Sequence, residues 1–369
     1  MQLPYSDKLN TPSLARIFDN KSESYKLFWF KAIMYFVKNG RDEISYSELI
    51  DKMIADAWYM VSEFHLNLGP SDALEKVVKY ISETTGMLPS VKEQEILNWL
   101  KECDDQEVKK QKRTLSENVP YRLQATLMDG FKGSSWNCGS RELALKINQQ
   151  KRLMYYFMEI AGMQTRIKID SNWMQYLLEN RVIIEGWIEY NMIIYLQRRN
   201  PSVPGISDKL APPLERKLEK VKKYWKIITS LEEFHEIYGN NTITSGNISI
   251  DHFVPWSYVA HDEFWNLHPT TRAINSSKSN NLPEWEKYFP MLADIKFHAY
   301  SMIWEYDSVR KAFEECKKDH FNDPDIVPKL YHPGLSSEEF SNRLEEIIYP
   351  VYLSAENCGF KPWEYNKNE

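Results

Sequence analysis

Between residues 248 and 283, carboxylate, imidazole, amide and ammonium side chains occur at spacings that could build one catalytic site. Asp251 and His252 are adjacent, Asn266 follows in the next segment, and Asn275 and Lys278 lie three residues apart. A carboxylate and an amide oxygen suit a hard cation such as Mg²⁺, which prefers oxygen ligands and retains several waters. A neutral imidazole can take a proton from water near physiological pH. Together these groups are a minimal set for hydrolysing a phosphodiester bond.

Local patterns predict the elements that would position these groups. Residues 248–255 have the alternation of a short strand that ends at a proline, and residues 265–270 predict a second strand or extended segment. Residues 272–281 predict a helix, which must end before the next proline. Asp251 and His252 are neighbours on the first strand, so their side chains should point to opposite faces unless the backbone is distorted. Strand, loop, strand and helix make a compact ββα unit.

This unit resembles the HNH, or ββα-metal, endonuclease motif. The matching segments are Asp251-His252-Phe253-Val254-Pro255, Asn266-Leu267, Asn275-x-x-Lys278 and the later Pro283. The resemblance covers a small part of the chain. It implies a metal-dependent enzyme that hydrolyses phosphodiester bonds.

The resemblance also implies a role for each matched residue. His252 would be the general base, and Asp251 and Asn275 would bind Mg²⁺, for which Mn²⁺ could substitute. Asn266 would hold the loop and orient His252, and Lys278 would lie near the scissile phosphate or its leaving group. Many members of the family also hold a structural zinc ion with paired cysteines. This chain has no Cys-x-x-Cys pair, so we expect no structural zinc.

Three further side chains are candidates for contact with substrate. His268 lies two residues after Asn266 and shares its strand face if the segment is extended. Lys222 and Lys223 belong to a basic amphipathic stretch, residues 214–228, that leads into the ββα unit. Basic side chains beside a nuclease site could contact DNA phosphates. The alternatives are a packing role for the histidine and an ordinary solvated face for the lysines.

The remainder of the chain is predicted to be mainly helical. Ser45 or Ser47, followed by Glu48, predicts a capped helix start. Helical spacing of apolar residues occurs over residues 22–38, 45–62, 71–84, 91–102, 151–160, 171–198 and 336–356. The expected fold class is therefore mainly α with a small α+β module, a helical body that carries a ββα-metal (HNH) finger.

Four segments are expected along the chain. Residues 1–200 would form a helical domain of unknown role, which could sense a ligand, bind DNA or bind a partner. Residues 201–246 would form a proline-rich linker and a basic helix. Residues 247–290 would be the HNH nuclease module, and residues 291–369 a C-terminal helical region that packs on it.

Composition limits the classes of function. The chain has 369 residues with 43% hydrophobic residues, enough for one large or two medium cores, and a net charge of -6. A nucleic-acid footprint must therefore be a local patch rather than a broad basic surface. Four widely spaced cysteines, with no signal peptide or membrane-spanning run, predict a cytoplasmic protein with reduced thiols. No Walker-type phosphate loop occurs, so ATP use is not indicated.

We therefore expect a metal-dependent HNH endonuclease that cleaves DNA. A looser similarity of the whole chain to bacterial HNH proteins with a helical N-terminal region suggests a role in restriction or anti-phage defence. Expected partners are DNA and either a second copy, since a double-strand cut usually needs two sites, or a defence-system protein, and no membrane. Two alternatives remain: a non-catalytic nucleic-acid- or protein-binding subunit, and a nuclease that is silent until a partner or ligand engages residues 1–200.

Overall fold

The computed structural model describes residues 2–128, 130, 131, 133–212 and 218–366. Within those residues the chain is mainly helical with a few short strands, which confirms the predicted fold class. The chain divides into two compact units, Met1–Pro201 and Ser202–Glu369. Among the described residues, no helix has both the length and the apolar character needed to span a membrane.

The N-terminal unit is a helical body with one small sheet. Its sheet contains β1 (Glu43–Ser45), β2 (Tyr155–Phe157) and β3 (Arg166–Ile169) in the antiparallel order β1-β3-β2. Ser45 starts a helix through a reciprocal capping box with Glu48, as its sequence context predicted. The helices are α1 (Thr11–Leu14), α2 (Tyr25–Lys38), α3 (Tyr46–Ser62), α4 (Ala73–Thr85), α5 (Glu93–Glu102), α6 (Gln106–Glu117), α7 (Val119–Arg122), α8 (Ser140–Asn148), α9 (Ser171–Glu179) and α10 (Arg181–Arg199).

The helix predicted over residues 151–160 is wrong, because this segment contains β2. The buried side chain of Gln124 donates to the carbonyl oxygen of Tyr155 at 2.9 Å and accepts from the amide of Met154 at 3.0 Å. Strand β3 pairs with the other edge of β2. These partners satisfy the backbone in an extended conformation, so tertiary contacts override an ambiguous apolar pattern.

The C-terminal unit surrounds a two-stranded sheet with helices. Helix α11 packs on both strands of this sheet, and the last long helix packs against the helix that follows the ββα unit. The elements are α11 (Glu219–Leu231), β4 (Phe234–His235), β5 (Thr242–Ile243), β6 (Ile248–His252), α12 (Trp256–Val259), β7 (Leu267–Thr271), α13 (Arg272–Lys278), β8 (Leu282–Pro283), α14 (Trp285–Glu305), α15 (Asp307–His320), α16 (Ile326–Leu330), α17 (Ser337–Asn357) and β9 (Pro362–Trp363).

The predicted ββα unit is present as β6, β7 and α13. The two strands are antiparallel, and their register places Asp251 opposite His268. Thr271 caps the start of α13 by accepting from the amide of Ile274 at 3.4 Å. The helix ends three residues earlier than predicted because Ser279 has a φ of 48°, which is incompatible with continued right-handed helix. Helix α13 lies directly against β6, so amide and ammonium side chains reach the strand that carries the acid.

Candidate active site

Asp251 lies on β6, and three side chains contact its buried carboxylate. The hydroxyl of Tyr238 donates to Oδ2 at 2.9 Å, and Nε2 of His268 is 3.4 Å from the same oxygen. Nζ of Lys278 is 3.3 Å from both carboxylate oxygens. A phenol, an imidazole and an ammonium therefore hold one acid in a fixed orientation.

These neighbours keep Asp251 ionised. Burial would raise the pKa of the Asp251 carboxyl, but the charge of Lys278 and the hydrogen bond and charge of His268 outweigh it and hold this pKa well below its usual range. Burial lowers the pKa of Lys278 and of His268, and in both cases Asp251 opposes that shift. The site therefore contains a buried anion that is compensated by an opposite charge.

His252, the next residue on β6, has a different neighbour. Its Nε2 is 2.8 Å from Oδ1 of Asp262, and its side chain is 5% exposed. Successive side chains of a strand point to opposite faces. The contact between His252 and Asp262 therefore lies on the other face of β6 from the contacts of Asp251. An ionised Asp262 stabilises the tautomer with the proton on Nε2, so the basic lone pair of the neutral ring is on Nδ1.

Asn266 ties down the segment that follows His252. Its Oδ1 accepts from the amide of Val254 and its Nδ2 donates to the carbonyl of Val254, both at 2.8 Å. The carbonyl of Asn266 accepts from the amide of Phe253 at 2.9 Å. The side chain is completely buried, so this amide connects the two segments without contact with solvent.

A buried lysine from α14 supports the same region. Nζ of Lys296 donates to the carbonyls of Phe264 and Leu267, at 2.6 and 2.5 Å. These carbonyls lie on either side of Asn266 in the sequence. Burial lowers the pKa of Lys296 to about 7. The turn that carries Asn266 is therefore fixed from two sides.

Asn275 and Asp251 provide the oxygen atoms that could hold a metal ion. Nδ2 of Asn275 donates to Oγ of Ser249 at 3.0 Å and to the carbonyl of Ile250 at 3.1 Å. In the described part of the chain no hydrogen bond to its Oδ1 is present, which leaves that oxygen as a candidate ligand. One anionic and one neutral oxygen ligand, completed by water, form a donor set that fits Mg²⁺.

Larger donor clusters are absent from the described residues, where no group of three or more His, Cys, Asp or Glu is arranged to hold a metal ion. A cation would therefore depend on Asp251, Asn275 and water. The carboxylate of Asp251 has lone pairs beyond those used by its three neighbours. The ammonium of Lys278 is nevertheless a competing positive charge at this position.

Lys278 and His268, two of the predicted site residues, both lie against Asp251. Both side chains are 0% exposed. Nζ of Lys278 also donates to the carbonyl of His252 at 2.7 Å. Both side chains therefore hold Asp251 and β6 in this structure. The substrate contact of His268 and the position of Lys278 beside the scissile phosphate stay predictions.

Two neighbouring lysines of α11 have different surroundings. Lys222 lines a groove of about 450 Å³ together with Lys226 and Arg272, beside the start of β6 and the end of β7. Lys223 instead forms an ion pair with Glu315 at 2.8 Å. The groove carries three cations, and the described residues that line it include no carboxylate. The first part of the predicted basic stretch, residues 214–217, lies outside the described residues.

Comparison with known families agrees with this geometry. Residues 235–284 match the model of an HNH endonuclease family. We refer to residues 235–284 as the HNH module, after the family whose model they match. No curated protein and no solved structure shows a significant match to the chain. The resemblance noted in the sequence is thereby confirmed, and the match starts before residue 247, so the HNH module includes Tyr238.

Two contacts within the HNH module were not foreseen from the sequence. Tyr238 is held by a turn in which Glu236 accepts from the amides of Tyr238 at 2.7 Å and Gly239 at 2.9 Å, and no spacing rule connects this turn to Asp251. The partnership of Asp262 with His252 had one available signal, a carboxylate in the loop that follows the candidate base. Such a residue is worth testing as an orienting group whenever a histidine is proposed as a base.

Proposed function

We propose that this protein is a metal-dependent endonuclease that hydrolyses phosphodiester bonds in DNA, with His252 as the general base. An HNH module indicates nuclease chemistry. The observation that carries the proposal is the arrangement on β6, where His252 is bonded to Asp262 and the adjacent Asp251 is held as a buried anion. This arrangement provides a base and an anionic ligand side by side, which a merely structural ββα unit does not require.

In the proposed reaction, Nδ1 of His252 takes a proton from a water molecule as its oxygen attacks phosphorus. The imidazole becomes positively charged, and Asp262 stabilises that charge through the bond to Nε2. The bond from phosphorus to the leaving sugar oxygen breaks, and the product carries a 5′-phosphate if it follows the family. Mg²⁺ held by Asp251 and Asn275 would stabilise the charge on the phosphate and on the leaving oxygen.

Residues in and beside the HNH module keep these groups in place. Tyr238, His268 and Lys278 orient the carboxylate of Asp251 and keep it ionised. Asn266 and Lys296 fix the two segments that flank the loop between β6 and β7. Catalytic groups that are supported in this way need little rearrangement when substrate binds.

We further propose that the groove beside the HNH module contacts DNA phosphates. Lys222, Lys226 and Arg272 gather positive charge there on a chain whose net charge is -6. Lysine and arginine contacts to phosphate position the duplex without reading its sequence. This proposal does not include Lys223, whose ammonium forms an ion pair with Glu315 at 2.8 Å.

A second candidate is an HNH nuclease that is silent until it is triggered. The observation that favours it is the ion pair between Lys278 and Asp251, since a metal ion must compete with an ammonium already present. A restriction or anti-phage role would suit either candidate, and a dimer would allow both strands to be cut. A non-catalytic binding subunit is less well supported, because such a protein has no use for a base with an orienting carboxylate.

Cleavage of supercoiled plasmid DNA tests the proposal. Wild type, His252→Ala and His235→Ala should be compared with Mg²⁺, with Mn²⁺ and with chelator. His235 is a matched control because it is an exposed histidine of the same module. We expect metal-dependent cutting that is lost only in His252→Ala. Cutting that persists in His252→Ala would refute the assignment of the base, and a wild type that stays inactive with every metal would favour the silent nuclease.

A further inference from the structure

The N-terminal unit contains a cavity of about 1000 Å³ that is lined by cationic and aromatic side chains. Four cationic side chains line it, those of Arg16, Lys21, Lys26 and Arg122. Among the described residues that line the cavity, Glu23 provides the one carboxylate. The cavity therefore carries a net positive charge on a chain that is acidic as a whole.

The two lysines of this cavity have neutral partners. Nζ of Lys21 donates to the carbonyl of Phe18 at 2.7 Å. Nζ of Lys26 donates to the carbonyls of Asn20 and Ile17, at 2.9 and 3.3 Å. Among the described residues, neither ammonium forms an ion pair with a carboxylate. Main-chain carbonyls orient these ammonium groups, and the nearby carboxylate of Asp19, which pairs with Arg16 at 3.5 Å, offsets their charge in part.

The cations also repel one another. Burial lowers the pKa of Lys26, and the charges of Arg122 and Lys21 lower it further. Burial and the charge of Asp72 raise the pKa of Glu23, and the charges of Arg199 and Lys76 oppose that shift. Cations that outnumber the nearby carboxylates, here Glu23 and Asp19, repel one another in the free protein and are stabilised once an anion binds. The cluster is thus arranged for an anionic ligand.

Aromatic rings give the cavity a second type of surface. The guanidinium of Arg122 lies 4.7 Å from the ring centre of Trp136, and the ring of Phe131 packs at 78° to that ring with a centre distance of 4.7 Å. All three residues line the cavity, as does Tyr25. Aromatic and guanidinium planes stack on nucleobases, whereas lysine and arginine bind phosphate oxygens.

We propose that this cavity binds a nucleotide that carries two or more phosphates. Lys21, Lys26 and Arg122 would bind the phosphates, and the base would stack at Trp136. A cavity of this size suits a ligand larger than a single inorganic anion. The shared chemistry could come from a nucleoside triphosphate or from a short oligonucleotide with a 5′-phosphate. Binding does not depend on the proposed nuclease activity.

Isothermal titration calorimetry of the full chain tests this proposal with four probes: ATP, the 5′-phosphorylated dinucleotide pApA, tripolyphosphate and adenosine. We expect ATP or pApA to bind, with the tighter of the two identifying the source, and the affinity to fall as salt rises. Tripolyphosphate should bind more weakly and adenosine not measurably. Equal binding of tripolyphosphate, or no binding of either nucleotide at millimolar concentration, would overturn the nucleotide assignment.

Variants then locate the ligand. Lys26→Gln and Trp136→Ala should each weaken binding about tenfold, and Trp136→Phe should restore most of the affinity. Lys146→Gln is the control, because Lys146 is an exposed lysine of the same unit that is paired with Glu142. Melting temperatures confirm folding, and Arg122→Gln replaces any variant that does not fold. Unchanged affinity in the cavity variants would refute this site, and His252→Ala should bind the nucleotide normally even if it cuts no DNA.

Discussion

The two units of the molecule surround their lysine ammonium groups with different partners. In the HNH module, Lys278 is completely buried and lies 3.3 Å from the carboxylate of Asp251. In the N-terminal unit, the ammonium groups of Lys21 and Lys26 bond to main-chain carbonyls, and the nearby charges that shift the pKa of Lys26 most are cations. In the HNH module the charges of Lys278 and Asp251 balance each other within the protein. The cavity of the N-terminal unit would gain a further counter-charge from the anion that we propose binds there.

The two sets of partners imply different relations between each site and its ligand. The compensated acid of the HNH module is stable without a ligand, so β6, β7 and α13 can fold with the catalytic groups in position. The cationic cavity stores unfavourable electrostatic energy that a ligand would release. Removing a charge should therefore lower the free energy of unfolding strongly at the first site and only slightly at the second.

The largest effect on stability is expected for Lys278→Ala. Removal of this ammonium leaves the carboxylate of Asp251 buried without its main counter-charge, so we expect a loss of about 3–5 kcal/mol in the free energy of unfolding. Urea denaturation at neutral pH measures the loss. A companion variant, Lys278→Ala with Asp251→Asn, removes both charges and should recover a large part of it. A single variant as stable as wild type would show that the pair is not electrostatically coupled.

The same variant should change how stability depends on pH. In wild type the pKa of Asp251 is lowered on folding, so its contribution is present above the unfolded value of about 3.9 and is lost as pH falls. Without Lys278, burial would raise this pKa, so the variant would lose stability as pH rises. The difference in unfolding free energy between wild type and Lys278→Ala should therefore narrow from pH 8 to pH 4. A constant difference would show that Lys278 does not set the ionisation of Asp251.

Asp262→Asn should have the next largest effect, and on rate rather than stability. The amide cannot stabilise a positively charged imidazole as a carboxylate does, so we expect cleavage to slow by about 100-fold. Single-turnover plasmid cleavage across a pH series measures the rate. The amide should also shift the acidic limb of the pH profile, because that limb reports protonation of the general base. Asp307→Asn, at an exposed site in the same unit, is the control. An unchanged rate would remove Asp262 from the mechanism.

The sequence predicted the parts of the HNH module that depend on local pattern. Residues 248–252 alternate and precede a proline, and helix α13 follows a threonine cap, so strand and helix were both foreseeable. Asp251, His252 and Asn275 could be chosen as candidates because their chemistry and spacing match one known motif. These predictions needed no knowledge of tertiary contacts.

The remainder of the site depends on contacts between segments distant in sequence. Tyr238 reaches Asp251 through a turn ordered by Glu236, and Lys296 reaches the segment around Asn266 from α14. Whether a side chain is buried also depends on tertiary contacts and cannot be predicted from local sequence. A lysine at position 278 has the pattern of a helix surface, and only the packing of α13 against β6 makes it a buried counter-ion. Likewise, nothing in the sequence brings Lys26 and Arg122 to one cavity.

Charge reversal in the groove beside the HNH module should have a moderate effect. Lys222→Glu with Lys226→Glu removes two phosphate contacts, so we expect DNA affinity to fall at least about tenfold and the salt dependence of binding to decrease by about two units of slope. Fluorescence anisotropy with a labelled duplex, in chelator to prevent cutting, measures both. Lys223→Glu is the matched control on the same helix, and its effect should be small because Glu315 already pairs with that lysine. Equal losses in both variants would point to overall charge rather than to the groove.

The smallest effect on stability is expected for Lys26→Met. This change removes hydrogen bonds to the carbonyls of Asn20 and Ile17 but also removes repulsion from Arg122 and Lys21. The side chain is partly exposed, so solvent screens both contributions, and we expect the free energy of unfolding to stay within about 1 kcal/mol of wild type. Urea denaturation beside Lys278→Ala makes the comparison direct, with Lys79→Met as a control at an exposed helical site. A loss as large as that of Lys278→Ala would mean that Lys26 is compensated within the protein, and the cavity would then have no need of an anion.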